Sequence, residues 1–567
     1  MKQIKNNISW IVIIAALISV VIVSFGHHRW VKEGNVIEWD VKSYYSYLPA
    51  AIIHQDMTLS FLEDNPEIYD KMWPVEMDNG DYLIVTSSGL SILYSPFFLM
   101  AHGVATFSDF EADGYSLPYR FSLHFSALFY VLLGLIFLRK ILKRFFDERI
   151  TALTLLAIII GTNLYYYTAF EAPMPHAYNF SLIAVFVWLT ILWHENPKIR
   201  NSIGIGLLYG LIVLIRPTNV LVILFFILWD VKSFRELKER ILFFLKRFDL
   251  VLIMILFFLI AWSPQFAYWK TVTDQWIFYS YGEKDAGFFF GNPQIKNILI
   301  SYKKGWFVYT PLMFFAFIGI FSMIKRLKQA FLPVLVYILA MIYVLSSWWA
   351  WWFGGGFGLR AFIDTYAIMA IPLASLLDVS MKRKFTGIIA IVVLLTLTWF
   401  NTFQIRQYRK NAIHYWWMNK EAYWETFLKL HTTDRYWEVL TKPDYEKARK
   451  GIYEAIPVLT EQQKNKRRFE KEYKNHIYKQ KPVMDSLHAI SENKEVFNQH
   501  FREFMNQNID EYIFHNKTDT LKIIKQNIRD QQELMEKIKE KAENRDISID
   551  SMITIDAIYL FKQGSRQ

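Results

Sequence analysis

The chain has 567 residues, 53% of them hydrophobic and 17% aromatic, with a formal net charge of +11 and no cysteine. The lack of cysteine excludes disulfides, thiolate metal sites and a cysteine nucleophile. Several apolar runs approach the roughly 20 residues needed to cross a bilayer, so the class is a polytopic membrane protein. In that class a basic excess reflects loop orientation rather than nucleic-acid binding.

The first apolar segment, Ile8 to Phe25, follows Lys2 and Lys5 and lacks a small-residue cleavage site. It is predicted to be an uncleaved anchor with a cytoplasmic N-terminus. The loop from about Gly26 to Ser87 leans acidic and is expected outside. The run Gly89 to Phe107 is interrupted by Pro96, His102 and Gly103. If it crossed, the cluster Arg139, Lys140, Lys143, Arg144 and Arg149 would face outward against the positive-inside tendency. It is therefore predicted to lie in the outer interface.

Crossings are then expected at 120–138, 151–169, 177–193, 250–269, 306–324, 331–347, 361–379 and 385–402. The run 203–230 is too long for one ordinary span and is broken at Arg216-Pro217. Proline interrupts the backbone ladder, so a hairpin of two short helices is predicted with Arg216 near its outer tip. The expected fold class is an all-α polytopic membrane bundle of about eleven crossings, with outer-face interfacial helices and a C-terminal soluble helical domain. Residues 1–405 form the membrane domain, in which 26–119 are the first outer loop, and 406–567 form an extracytoplasmic helical domain. In that tail Leu521, Ile524, Ile528, Gln531, Met535, Ile538 and Ala542 recur three or four residues apart, which places them on one helix face. The face either packs on its own domain or pairs with a partner helix.

Chemistry concentrates in the predicted outer loops. Asp40 lies in Glu38-Trp39-Asp40-Val41-Lys42-Ser43-Tyr44-Tyr45-Ser46-Tyr47, where aromatic faces and hydroxyls surround a carboxylate. Those are the parts of a sugar site with a general base, and a solvated loop acid is the alternative. Glu171 and His176 share a turn between two spans and could bind a metal, support a base or bond each other; an interfacial polar turn is equally open. Arg216, Lys303, Lys304 and Arg360 fall on the predicted outer side against the positive-inside tendency, which suits an anion such as a lipid phosphate. Arg360 follows a run of tryptophans and glycines that would otherwise be a membrane-interface belt with a turn. The sequence holds no Walker loop, no dinucleotide fingerprint, no nucleophile elbow and no metalloprotease motif, so nucleotide-driven cytoplasmic chemistry has no visible machinery.

In order, "EWDVKSYYSYLPA", "DGYSLPYRFSLHFSALF", "YYYTAFEAPMPHAYNF", "GLIVLIRPTN", "SYKKGWFVYTPLMFF" and "WWFGGGFGLRAFIDTYAI" resemble the GT-C glycosyltransferase superfamily, including protein O-mannosyltransferases and aminoarabinose transferases. The resemblance runs over about residues 8–405. It implies a hexosyl or pentosyl transfer from a polyprenyl-phosphate sugar to a lipid, glycan or protein acceptor on the outer face of the cytoplasmic membrane, as part of cell-envelope glycan biosynthesis. On that pattern Asp40 activates the acceptor and transfer is inverting. Tyr44, Tyr45, Glu171 and His176 bind donor or acceptor, and Arg216, Lys304 and Arg360 hold the lipid phosphate. No cofactor and no nucleic-acid partner are called for, and dependence on a divalent metal stays open. The competing class is a transporter or flippase of lipid-linked sugars, which would show repeated broken helices around a midplane site. One broken segment and no repeat are visible.

Overall fold

The computed structural model describes residues 7–563 except 79, 285, 492 and 493. By contacts the chain divides into two units: Met1–Thr432 with Pro443–Ala455, and Thr433–Lys442 with Ile456–Gln567. Both are helical; regular strands among the described residues are limited to two- and three-residue pieces. The all-α membrane class is as expected.

Eight helical segments of the first unit are long and apolar enough to cross a bilayer. They are Ile8–His27, Gly89–Thr106, Leu117–Phe145, Pro175–Glu195, Phe248–Thr273, Lys328–Ser346, Arg360–Ser380 and Lys384–Arg409. The other expected spans are built from shorter pieces. Residues 151–169 divide into Glu148–Ile159 and Leu164–Ala169. The break falls at Gly161, where a Cβ would collide with Leu312, so only glycine lets these segments approach. The run 203–230 divides at Arg216 into Ile199–Ile215 and a 3-10 turn that continues as Ile223–Leu228. Pro311 ends the expected span 306–324 early, leaving Trp306–Tyr309 and Leu312–Arg326.

Gly89–Thr106 has the length of a span. A Cβ added to Gly89 would lie 2.7 Å from the backbone nitrogen of Ile215, the last residue of Ile199–Ile215. Toward its other end, His102 bonds the Tyr119 hydroxyl at 2.6 Å, in the first turn of Leu117–Phe145. Alternation of the helices puts both neighbours at the same end of the bundle, and from that end the helix packs along Leu117–Phe145, where Ser122 donates to the Phe97 carbonyl at 2.7 Å and Tyr130 to the Leu93 carbonyl at 3.0 Å. The basic loops at 139–149, 232–247, 325–328 and 382–384 gather at the opposite end.

The two innermost helical segments are Pro175–Glu195 and Arg360–Ser380, 78% and 83% buried across their apolar windows. Phe248–Thr273, at 17%, turns most of its surface outward. The central pair therefore fixes whatever it carries at its N-terminal ends, and those ends hold His176 and Arg360. Leu312–Arg326 packs against Arg360–Ser380 through Gly319, whose Cβ would strike the Pro372 carbonyl.

In the second unit the amphipathic face packs on its own domain. Leu521, Ile524, Ile528, Ile538 and Ala542 are buried in one cluster with Phe469, Tyr473 and Ile513. It is not one helix, however: the chain breaks at Gln531 into Thr518–Asp530 and Gln532–Asn544.

Gly319→Leu is expected to lower the thermal midpoint in detergent, at a cost of about 1–3 kcal/mol from overpacking. Gly103→Ala, with nothing within 4 Å of the added Cβ, should leave the midpoint unchanged or raise it. Equal effects would dissociate the packing from stability.

Candidate functional site

Helix ends and loops from distant parts of the sequence meet at the end of the bundle away from the basic loops. Asp40 is the first residue of the short helix Asp40–Tyr45. Trp39 before it has φ +50°, a conformation uncommon outside glycine, and its side chain is exposed. Arg360 opens the 3-10 turn Arg360–Thr365. Its Nη2 donates to Asp40 Oδ2 at 2.7 Å; the arginine side chain is 16% exposed and the carboxylate 42%. Asp40 thus keeps an open face while one oxygen is held.

The loop leading to Arg360 explains its glycines. Gly354, Gly356 and Gly358 have φ of +70°, +135° and +61°, which side-chain-bearing residues rarely adopt. A Cβ on Gly356 would also run into the Tyr167 hydroxyl. Phe353, also at positive φ, sets its ring 5.9 Å from the Arg216 guanidinium, within cation–π range.

A second charged pair lies deeper. Asp364, on the same turn as Arg360, is fully buried and accepts from Arg216 Nη1 at 2.9 Å, Asn219 Nδ2 at 2.7 Å and Asn179 Nδ2 at 3.3 Å. His176 Nδ1 sits 3.4 Å from both Asp364 Oδ1 and Arg216 Nη1, donating to the first or accepting from the second according to its tautomer. Its Nε2 is buried and has no partner among the described residues. Arg216 uses Nη1 for these contacts, leaving Nε and Nη2 without a hydrogen-bond partner among the described residues.

Asp364 was not singled out from the sequence. It lies in a segment read as a span, and an acid within such a segment is itself a functional signal. Glu171 and His176 do not bond each other. Glu171 accepts from the Tyr166 hydroxyl at 2.9 Å, and burial raises its pKa against the opposing pull of Arg360. Tyr44 is buried within reach of Tyr281 and in the field of Asp40, Arg216 and Arg360. Tyr45 points elsewhere: it donates to the Gly114 carbonyl and packs on Phe98 and Tyr115.

Lys304 is 2% exposed, and its ammonium donates to the carbonyls of Gly356 and, at 2.8 Å, Tyr415. It ties the glycine loop to the segment after Lys384–Arg409 instead of opening toward a ligand. Lys303 rests on the Trp352 ring at 4.9 Å. Burial pushes both lysines down to about 7. Among the described residues no three His, Asp or Glu side chains gather as a metal set, and one Asp40 oxygen is already taken by Arg360.

Compared with known proteins, the chain matches no protein-family model and no curated protein. Among solved structures it is similar to the apo oligosaccharyltransferase of Archaeoglobus fulgidus, at 14% identity and a TM-score of 0.41. The alignment covers 76% of this chain and 61% of that one, so this chain spans less than two thirds of its length. At that score the likeness assigns no activity to this chain.

Two outcomes test the geometry. Asp364→Asn strands the Arg216 charge in a buried site and should cost about 3–5 kcal/mol of stability in thermal unfolding. For Lys304, the folded state holds fewer protons than the unfolded state between about pH 7 and the ordinary lysine value, so its contribution to stability rises with pH across that window. The midpoint of the wild type, relative to Lys304→Met, should therefore increase from pH 7 to pH 10; a flat difference would mean that Lys304 titrates normally.

Proposed function

We propose that the protein is a glycosyltransferase that moves a sugar from a polyprenyl-phosphate-linked donor to an acceptor on the outer face of the cytoplasmic membrane, with inversion and with Asp40 as general base. The observation that carries the reading is the Asp40–Arg360 pair, a part-exposed carboxylate beside the fork of a largely buried arginine. A base and an anion-binding fork side by side suit displacement at a sugar phosphate, where a hydroxyl must lose a proton while a phosphate departs.

The step balances without a further reactant. The acceptor oxygen forms its bond to the anomeric carbon and gives its proton to Asp40. The bond from that carbon to the phosphate oxygen breaks, and the polyprenyl phosphate leaves with the electron pair. Arg360 turns from Asp40 to the leaving phosphate, and the unused nitrogens of Arg216 supply a second set of donors. Asp364 holds Arg216 in place through its 2.9 Å contact. Attack opposite the phosphate inverts the anomeric carbon.

The sidedness rests on charge. The basic loops lie at the end of the bundle opposite Asp40, so the positive-inside tendency puts them in the cytoplasm and the site outside. The N-terminus is then cytoplasmic, and the helical tail, which follows the last span, extracytoplasmic.

Purified protein supplied with a panel of polyprenyl-phosphate sugars and lipid, glycan and protein acceptors should release the carrier phosphate. Asp40→Asn should reduce release by about 10²–10⁴-fold, the range for loss of a general base, and Arg360→Ala should reduce it as well. Release that is equal in Asp40→Asn removes Asp40 from the chemistry. No release from any donor and acceptor pair would favour transport of lipid-linked sugars.

A further inference from the structure

A cavity of about 530 Å³ opens beside the site, within the range of small-molecule pockets, and no step above uses it. Gly282, Gly287 and Phe289 line one side of it; Glu446, Arg449 and Lys450 line the other. The first wall is well fixed. Gly287 accepts from the Trp349 backbone at 3.0 Å, Phe289 donates to the Ser347 carbonyl at 2.6 Å, and Asn292 bonds the Gly451 carbonyl at 3.0 Å. The second wall is the short helix Tyr445–Arg449 and the turn that follows it.

We propose that this cavity is the acceptor subsite and that it takes a saccharide bearing a carboxylate or phosphate group. The assignment rests on the glycosyltransferase reading of the Asp40 site. The chemistry of the walls selects the ligand class. Arg449 and Lys450 are cations with no ion pair among the described residues, and Arg449 lies over the Trp349 ring at 5.5 Å, which holds its fork in place. Phe289 offers an aromatic face, and Glu446 an acceptor for sugar hydroxyls. Gly287 leaves the backbone open to close approach, with nothing within 4 Å of the place its Cβ would take.

One turn joins the cavity to the reacting groups. Gly282 on the cavity wall is adjacent to Tyr281, which reaches Tyr44 and lies in the field of Asp40 and Arg216. Ser280 pins that turn to the Val85 carbonyl at 2.5 Å. The cavity wall is thus one residue away from a tyrosine that bonds Tyr44 and shares the surroundings of Asp40.

Saturation-transfer difference NMR on the full chain in nanodiscs tests this without any donor, using glucuronic acid, glucose 6-phosphate, glucose and inorganic phosphate as probes. Glucuronic acid and glucose 6-phosphate should bind the wild type roughly fivefold or more tightly than glucose, the gain expected of a charge-assisted contact at a part-open site. The Arg449→Ala/Lys450→Ala double variant should lose that preference. Gly287→Phe, which has open space for its Cβ, should fill the cavity and abolish binding of all three sugars. Equal binding of charged and neutral sugars, binding unchanged in both variants, or inorganic phosphate displacing glucose 6-phosphate as well as the sugar itself would each overturn the assignment. If the variants lose saccharide while wild-type protein releases no carrier phosphate with any donor, the glycosyltransferase reading fails and the cavity stands. If release occurs and the variants bind as the wild type does, the cavity alone is removed.

Discussion

The 3-10 turn Arg360–Thr365 carries a cation and an anion four residues apart, and each is matched by a charge from a different loop. Arg360 meets Asp40 from the loop after the first helix, and Asp364 meets Arg216 from the broken hairpin. A buried charge that loses its partner costs several kcal/mol, whereas an intact pair contributes little net stability. The turn therefore acts as a register: neither loop can shift without stranding a charge. Its position at the head of the most buried helical segment gives the register a rigid support.

The packing around that turn follows from the same constraint. The chain must come back to Arg360 from the tryptophan-rich segment in a few residues, past the Tyr167 hydroxyl and the Arg360 side chain itself. Only glycine tolerates the three positive φ values this requires. The carbonyl of one of them is then free to accept from Lys304, which also holds Tyr415. A lysine so placed is valuable for its donors rather than its charge, since burial already favours its neutral form.

Much of this was legible in the sequence, and the failures have physical causes. Asp40 could be found because aromatic and hydroxyl side chains crowd its stretch of loop, and Arg216 and Arg360 because they fall on the predicted outer side against the positive-inside tendency. Asp364 escaped because it lies inside an apolar run read as a span, and its partner lies 148 positions away in sequence. Lys304 and Tyr45 were misleading for the opposite reason: residue type suggested a ligand, but only tertiary packing shows that backbone carbonyls already occupy their polar atoms. The helix breaks divide the same way. Arg216-Pro217 is announced by proline, whereas the break at Gly161 depends on how closely Leu312 approaches. The interfacial course expected of Gly89–Thr106 rests on charge parity alone, because the basic cluster after the next helix would otherwise face outward.

Under the proposed function, the Asp40–Arg360 pair also couples the two halves of the reaction. While Arg360 holds Asp40, one carboxylate oxygen is occupied by the guanidinium. A donor phosphate, a diester with two free oxygens and one negative charge, competes for the same fork, and it gains a third oxygen and further charge as it leaves. As Arg360 turns to it, that carboxylate oxygen is released toward the acceptor hydroxyl. Both oxygens of the base are then available only when a leaving group is seated. Glu171 is held apart from this exchange by its bond from the Tyr166 hydroxyl. Arg216 cannot take Arg360's place on Asp40 without abandoning Asp364, a fully buried carboxylate whose desolvation would then go uncompensated. One arginine is thus free to move between base and phosphate because the other is held.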